Sequence, residues 1–190
     1  MTDTLTLKIL MIGESGVGKT SIVKRYCEGV FEDSMMSTVG IDFEFKETTV
    51  GGKKIKLQIS GQERFHNVTS SYFRGTHGCV IVYDVNKVET YDRLSYWVEE
   101  YLDEQPNSEI VIVGNKADNG KQVSKDVTQD FAYGKKVKRF YTSAKTGMNI
   151  DEVFDELAEA ISSNEKIMSS LHETNKITTL APIEESKSCC

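Results

Sequence analysis

The stretch Gly13-Glu-Ser-Gly-Val-Gly-Lys-Thr20 decides the fold that this sequence predicts. It follows an apolar, strand-like segment, Leu5–Ile12, and runs into a segment with helical spacing, Lys19–Cys27. Glycines here let backbone N–H groups turn toward a phosphate, and the dipole of the following helix favours its negative charge. The pattern G-x-x-x-x-G-K-[ST] is therefore typical of a P-loop, in which Lys19 reaches the β- and γ-phosphates and the Thr20 hydroxyl is placed for Mg²⁺.

Strand-like and helix-like segments alternate along the rest of the chain. Gly51-Gly52 joins the second and third strands as a hairpin, whereas the other connections are typical of parallel βαβ units. The sequence predicts a single α/β P-loop NTPase domain with helices on both faces of a mostly parallel six-stranded sheet, which has one antiparallel edge strand. The predicted strands are Leu5–Ile12, Ile41–Val50, Ile55–Ile59, Cys79–Val85, Ile110–Val113 and Arg139–Tyr141, and the predicted helices are Lys19–Cys27, Arg93–Leu102, Lys125–Phe131 and Ile150–Ile161.

The overall composition limits the size and class of the protein. With 190 residues, 38% of them hydrophobic, the chain has room for one domain with a substantial core and a short extension. A formal net charge of −6 argues against binding phosphates by bulk electrostatics, so we expect no nucleic acid among the partners. No apolar run approaches the roughly 20 residues that span a bilayer, and Met1–Lys8 lacks the features of a signal peptide.

The end of the chain loses the helical periodicity. We expect the domain to comprise residues 1–165 and a flexible tail to comprise residues 166–190, which are rich in Ser, Thr, Lys and Glu. Two of the four cysteines stand alone in predicted elements, and the other two, Cys189 and Cys190, are adjacent at the end. A disulfide framework would space them differently, so a reducing compartment is favoured.

A second polar segment follows the strand Ile110–Val113, at the edge where the binding crevice of a parallel sheet lies. In Asn115-Lys-Ala-Asp118, the carboxylate of Asp118 can accept hydrogen bonds from N1–H and from the N2 amino group of guanine. Adenine presents a lone pair at N1, which would repel the carboxylate and leave it unpaired. The sequence therefore predicts a guanine nucleotide, and it disfavours an ATP-using P-loop kinase.

These segments and Thr142-Ser-Ala-Lys145 resemble guanine-nucleotide motifs of the Ras-like GTPases. The resemblance covers roughly residues 5–162 and implies a switch that binds GTP and GDP, hydrolyses GTP slowly and regulates vesicle traffic. It also implies an exchange factor, an activating protein, an escort or dissociation inhibitor and effectors as partners. Four further segments resemble those typical of the Rab branch: Thr38-Val-Gly-Ile-Asp-Phe43, Gly61-Gln-Glu-Arg-Phe65, Ser71-Tyr-Phe-Arg-Gly75 and Ile81-Val-Tyr-Asp-Val85.

The resemblance assigns catalytic and metal-binding roles to individual residues. Thr38 would give its hydroxyl to Mg²⁺ and its amide to the γ-phosphate, so Thr20 and Thr38 are the expected metal ligands. Gly61 would donate its N–H to the γ-phosphate, and Gln62 would orient the attacking water. Gln62, Gly61 and Lys19 are therefore the expected catalytic residues.

The nucleotide itself would meet a larger set of residues. The Ala144 amide would bond to guanine O6, Lys116 and Lys145 would flank the base and sugar, and Phe31 would lie against the base edge. The expected nucleotide-binding residues are Gly13, Ser15, Gly16, Val17, Gly18, Lys19, Thr20, Ser21, Phe31, Thr38, Gly61, Asn115, Lys116, Asp118, Ser143, Ala144 and Lys145.

The terminal pair Cys189-Cys190 resembles the double-geranylgeranyl site of Rab proteins and does not form a C-a-a-X box. The tail is neutral overall, with three lysines and three glutamates, so no polybasic patch supplies a second anchoring signal. Two lipid chains would then have to hold the protein on a membrane. We expect it at the cytoplasmic face of intracellular membranes, with a cytosolic pool.

The chain departs from the family in its third motif. Rab proteins read W-D-T-A-G-Q-E after K-L-Q-I, whereas here Lys56-Leu-Gln-Ile59 runs straight into Ser60-Gly61-Gln62. The missing Asp is the acid that holds Mg²⁺, usually through a water. Counted back from Gly61, Gln58 falls at its place. The loss predicts an impaired GTPase, with a non-hydrolysing guanine-nucleotide-binding protein or scaffold as the alternative function.

The three missing residues also leave two arrangements for the third strand. A slip by three residues would turn Ile55, Leu57 and Ile59 to the opposite face of the sheet and bury polar side chains instead. We expect the strand to keep its register, with Ser60-Gly61 drawn tight.

Overall fold

The computed structural model describes residues 5–33, 41–62, 73–120 and 137–171. The predicted helix Lys125–Phe131 lies outside these residues. The strands are β1 (Leu5–Ile12), β2 (Ile41–Val50), β3 (Lys53–Gln62), β4 (Gly78–Asp84), β5 (Glu109–Asn115) and β6 (Lys138–Tyr141), and the helices are α1 (Lys19–Glu28), α2 (Val88–Asp92), α3 (Leu94–Glu104) and α4 (Ile150–Ser163).

The six strands form one sheet in the order β2-β3-β1-β4-β5-β6. β2 runs antiparallel to β3 at the edge, and every other neighbouring pair is parallel. Gly51 and Gly52 connect β2 to β3 with φ values of 55° and 78°, the left-handed conformation that a tight hairpin turn requires. The predicted mostly parallel sheet with one antiparallel edge strand is therefore confirmed.

Apolar side chains fill the space on both faces of the sheet. β4 is buried along its whole length, as expected for a central parallel strand covered on two sides. In β1, Leu7 and Ile9 belong to the cluster beneath α1 and α4, whereas Leu10 and Ile12 belong to the cluster beneath α3. The two-residue period of the strand thus divides its side chains between two helical layers.

The packed chain extends beyond the predicted domain boundary at residue 165. Residues 165–171 are helical, and the Asn164 Oδ1 accepts hydrogen bonds from the backbone N–H groups of Lys166 and Ile167. Ile167 is only 7% exposed and packs in the core beneath α1 and α4. The predicted start of the tail at residue 166 is therefore too early, because an apolar side chain there reaches the core. None of the described helices is both long enough and apolar enough to cross a bilayer.

The third strand keeps the register that its apolar pattern predicts. Ile59 lies opposite Ile9 of β1, and the exposed fractions of Ile55, Leu57 and Ile59 are 3%, 0% and 0%. The apolar set therefore faces the core, and the chain has not slipped by three residues to make up for the missing ones.

The strand does not end at Ile59 as predicted, because β3 continues in extended form through Ser60-Gly61 to Gln62. Gly61 lies opposite Met11 of β1 on one side and opposite Asp42 of β2 on the other. Both neighbouring strands run alongside this segment, so its backbone N–H and C=O groups find partners in the sheet rather than in a turn. Gly61 consequently has the position two residues after Ile59, where the family carries its Mg²⁺-holding Asp.

Candidate nucleotide-binding site

The P-loop leaves the carboxyl end of β1 through glycines that no other residue could replace without strain. Gly13 has φ 136°, and a Cβ there would lie 2.1 Å from the Val82 carbonyl oxygen of β4. Gly18, at the start of α1, has φ 95°, and a Cβ there would lie 2.5 Å from the Asn115 side-chain nitrogen. The loop therefore bends close to two neighbouring strands and leads directly into the N-terminus of a helix, which favours an anion.

Lys19 lies inside this loop. Its side chain is 1% exposed, and its Nζ donates hydrogen bonds to the carbonyl oxygens of Gly13 at 3.0 Å and Glu14 at 2.8 Å. A long cationic side chain is almost never buried this far without an anionic or dipolar partner. The ammonium group is thus fixed at the centre of the loop, where it suits a phosphate.

Asn115 connects the P-loop to the loop after β6. Its side chain is 1% exposed, and its Nδ2 donates to the Val17 carbonyl oxygen at 2.9 Å. Its Oδ1 accepts from the Thr142 hydroxyl at 3.2 Å and from the Ala144 N–H at 3.3 Å. One buried amide therefore holds two loops that are separated by more than a hundred residues in the sequence.

Lys116 lies across the same opening in a left-handed backbone conformation, with φ 66°. Its Nζ donates to the Gly16 carbonyl oxygen at 2.7 Å and forms an ion pair with Asp84 Oδ2 at 2.9 Å. Asp84 is 2% exposed, and its other oxygen accepts from the Asn86 backbone N–H. Because the Lys116 side chain keeps 35% of its surface exposed, the pair is only partly buried, and the buried Asp84 carboxylate limits where the Lys116 ammonium group can lie.

Asp118 follows in a short 3-10 helix, Ala117–Asn119, at the same edge of the sheet. The Ser143 hydroxyl donates to Asp118 Oδ1 at 2.6 Å, and Ser143 Oγ also accepts from the Thr146 N–H at 3.1 Å. The Asp118 carboxylate and the Ala144 amide, which sequence reasoning assigned to the guanine base, are thus held on adjoining loops.

Most of the predicted site residues come together at the carboxyl ends of β1, β5 and β6, and a few do not. Phe31 is half-buried and packs on the edge of the core beneath α1 and α4. Gly61 lies within β3. Thr38, the Gln62 side chain, Cys189 and Cys190 fall outside what the structure describes. The other predicted residues lie in the P-loop, in the first turn of α1 or in the loops after β5 and β6: Gly13, Ser15, Gly16, Val17, Gly18, Lys19, Thr20, Ser21, Asn115, Lys116, Asp118, Ser143, Ala144 and Lys145.

The described residues do not complete a magnesium site of the family's kind. Thr20 lies in the first turn of α1, the position at which a P-loop pattern predicts a hydroxyl ligand for the ion. The position of the family's acid is taken by Gly61, which has no side-chain oxygen to offer. Within residues 5–33, 41–62, 73–120 and 137–171, no group of three or more His, Cys, Asp or Glu side chains could hold a metal ion.

Sequence reasoning missed two residues that shape this site. Asp84 stands inside Ile81-Val-Tyr-Asp-Val85, a segment that resembles the Rab branch, but nothing local in the sequence indicates its ion pair with Lys116. Arg25 contacts the backbone at Ala144 and Lys145, which lie 119 and 120 residues further along the chain. A basic residue at the end of a helix ordinarily suggests only a favourable interaction with the helix dipole.

Comparison with known proteins agrees with the geometry of this site. Residues 8–163 match the family model described as the Ras family. Ras-related protein Rab-10 of Diplobatis ommata is 38% identical, over 100% of this chain and 98% of the relative. Rab-10 of Caenorhabditis elegans is 37% identical over 98% and 96%, and Rab-8B of Bos taurus is 37% identical over 93% and 87%. The chain therefore belongs to the Ras family, as a small GTPase of the Rab type.

Proposed function

We propose that this protein is a switch that binds GTP and GDP and regulates vesicle traffic at intracellular membranes. The observation that supports nucleotide binding best is the meeting of Lys19, Asn115 and Asp118 at one edge of the sheet. There the Asn115 amide bonds to the P-loop and to the loop after β6, and Asp118 accepts a hydrogen bond from the latter loop. The role in vesicle traffic follows the resemblance to Rab proteins, and it brings an exchange factor, an activating protein and effectors as expected partners.

The phosphates and the base of the nucleotide would be bound by different groups at this edge of the sheet. The Lys19 ammonium and the backbone N–H groups of the P-loop would bind the phosphates. The Asp118 carboxylate would accept from N1–H and the N2 amino group of guanine, and the Ala144 amide would donate to O6. Lys116, held by Asp84, would cover the base and sugar.

Competition between nucleotides tests this proposal directly. A fluorescent GDP bound to the purified protein is displaced by unlabelled GDP or GTP. ADP and ATP should compete about 10⁴-fold more weakly, because a site built to pair with guanine is left with unpaired polar groups around adenine. Equal competition by ADP and GDP would contradict the assignment of Asp118 and Ala144 to the base.

Hydrolysis separates two candidate functions. A slow GTPase, helped by an activating protein, would use Lys19, Gly61 and Gln62 at the γ-phosphate, together with Mg²⁺ on Thr20 and Thr38. The position of Gly61 inside β3 instead favours a protein that binds guanine nucleotides without hydrolysing them, a pseudo-GTPase or scaffold. Single-turnover measurement of preloaded GTP, with and without Mg²⁺, distinguishes the two.

The membrane anchor would be the pair Cys189 and Cys190, each carrying a geranylgeranyl group. The double variant Cys189→Ser/Cys190→Ser should move from the membrane fraction to the cytosol in cells, because the tail offers no net basic charge for binding to lipid headgroups. Each single variant should bind membranes only marginally, since one lipid chain gives reversible attachment. The chain that keeps both cysteines would carry its lipid groups in the cytosol as well. Its cytosolic pool would therefore need an escort or dissociation inhibitor to cover these lipids.

Nucleotide affinity of the purified double variant serves as the control, and it should equal that of the original chain. Persistent membrane association of Cys189→Ser/Cys190→Ser would show that something other than lipidation holds the protein there.

A further inference from the structure

Arg25 lies in the last turn of α1 and bonds to three backbone carbonyls. Its Nε donates to the Ala144 oxygen at 2.7 Å, its Nη2 donates to the Lys145 oxygen, and its Nη1 donates to the Gly29 oxygen at 2.8 Å. Two of these acceptors belong to consecutive residues of the loop after β6, and the third ends the helix that carries Arg25. The guanidinium therefore joins the far end of α1 to that loop.

The guanidinium is the side-chain group best suited to this contact. Its N–H donors lie in one plane and in a rigid fork, so two consecutive carbonyls bonded to it lose most of their freedom to rotate. The hydrogen bonds are charge-assisted, which makes each stronger than a neutral one. At the opposite side of Ala144, its own N–H donates to Asn115 Oδ1 over a long 3.3 Å, which leaves the hydrogen able to bond to guanine O6 as a second acceptor. Ala144 is thus held from both sides, by Arg25 through its oxygen and by Asn115 through its nitrogen.

α1 acts as a spacer between the two halves of the site. Lys19 begins the helix within the phosphate loop, and Arg25 stands six residues later, about 9 Å along the axis. The first turn therefore meets the phosphates while the last turn holds the base-reading loop. The loop after β6 also forms an ion pair with the segment after α1, between Lys145 Nζ and Asp33 Oδ1 at 3.5 Å. Both side chains are exposed, so this ion pair contributes little to the stability of the loop.

We propose that Arg25 is a positioning residue for guanine recognition, which sets the Ala144 amide at the place of guanine O6 by holding the carbonyls of Ala144 and Lys145 against α1. The inference rests on the proposed guanine site, and it concerns the O6 contact alone. Reading of the N2 amino group belongs to Asp118, whose Oδ1 accepts its hydrogen bond from the Ser143 hydroxyl.

Two nucleotide analogues separate these contacts. 6-Thio-GDP keeps N1–H and the N2 amino group but replaces O6 by sulfur, a weaker acceptor, whereas IDP keeps O6 and lacks the N2 amino group. The ratio of the dissociation constants of 6-thio-GDP and GDP measures the preference for O6. The ratio of the dissociation constants of IDP and GDP measures the preference for the N2 amino group. In Arg25→Ala we expect the preference for GDP over 6-thio-GDP to fall by about five- to tenfold, the effect of one hydrogen bond. The preference for GDP over IDP should change by less than about twofold.

Two further variants make the test independent of folding. Arg25→Lys keeps the charge, but an ammonium cannot hold two carbonyls in the plane of a fork, so the O6 preference should fall to an intermediate value. This variant decides the question if thermal melting shows that Arg25→Ala does not fold. Arg74→Ala removes an exposed arginine that pairs with Glu104, away from the site, and should leave both preferences unchanged.

Equal losses of both preferences in the Arg25 variants would overturn the inference, because they would indicate a general structural role. Unchanged preferences would overturn it as well. If the original chain binds none of the three nucleotides, the proposed guanine site itself is wrong, and the role of Arg25 is rejected with it.

Discussion

We expect replacement of Asp118 by Asn to weaken the binding of GDP and GTP by about two to three orders of magnitude and to shift the preference toward xanthine nucleotides. A carboxylate accepts two charge-assisted hydrogen bonds from guanine, and an amide in its place presents an N–H₂ donor to one of those donors. Xanthine carries a carbonyl oxygen where guanine carries the N2 amino group, so the amide can donate to it. Affinities for GDP and XDP, measured by fluorescence competition, give the result.

The substitution Asp118→Asn should change the hydrogen-bonding groups offered to the base without moving the side chain. The Ser143 hydroxyl donates to Asp118 Oδ1, and the carbonyl oxygen of an asparagine can accept the same bond. Asp92→Asn, on α2, removes an acid outside the site and should leave both affinities unchanged. GTP affinity that is unaltered by Asp118→Asn would show that this carboxylate does not face the base.

The central sheet could be predicted because its signals are local. β1, with its apolar run and following glycines, was predicted to the residue, and so was β2. The far end of β3 could not, since Ser60-Gly61 has the composition of a turn and only the neighbouring strands β1 and β2 make it extended. Ile167 was missed for a similar reason. Its neighbours in the sequence are polar, and its burial depends on packing against the core.

In the candidate site, too, the features that depend on local sequence could be predicted, and those that depend on distant contacts could not. The phosphate loop lies in one continuous stretch, so composition and spacing are enough to predict its fold and its ligand class. The contacts that hold the loop in place join residues far apart, as in the bond from Asn115 to Val17 and the bonds from Arg25 to the loop after β6. Residue type alone indicates neither partner. The third motif shows the limit most clearly, because counting along the sequence places Gln58 at the acid's position and the strand register places Gly61 there.

The magnesium response of the nucleotide site should depend on that one position. Gly61 lies two residues beyond Ile59 and opposite Met11, next to the end of β1 from which the P-loop leaves. With no carboxylate there, we expect bound GDP to dissociate at nearly the same rate with excess Mg²⁺ and with EDTA. Release of a fluorescent GDP, followed by stopped-flow under both conditions, measures this ratio directly.

A single substitution should install the missing dependence. A Cβ at Gly61 meets no heavy atom of the described residues within 4 Å, and Gly61 is not among the glycines with positive φ, so an aspartate can enter the strand without strain. In Gly61→Asp we expect Mg²⁺ to slow GDP release by about ten- to a hundredfold relative to EDTA, the size of one charge-assisted contact. Gly61→Asn has the same shape without the charge and should behave as the original chain. Equal release rates in Mg²⁺ and EDTA for Gly61→Asp would contradict the register argument.

Hydrolysis should respond differently from metal dependence, because it needs more than the acid. In Gly61→Asp the backbone after Ile59 is as short as before, so no glycine N–H is brought to the γ-phosphate and single-turnover hydrolysis should stay low. Restoring Trp-Asp-Thr-Ala in place of Ser60 lengthens the chain by three residues, about 10 Å when extended, and returns Gly61 and Gln62 to the loop beyond the strand. That version should hydrolyse GTP faster than the original chain and show Mg²⁺ dependence as well. Equal hydrolysis rates and equal Mg²⁺ dependence in the restored and original chains would mean that the missing residues have no bearing on the switch.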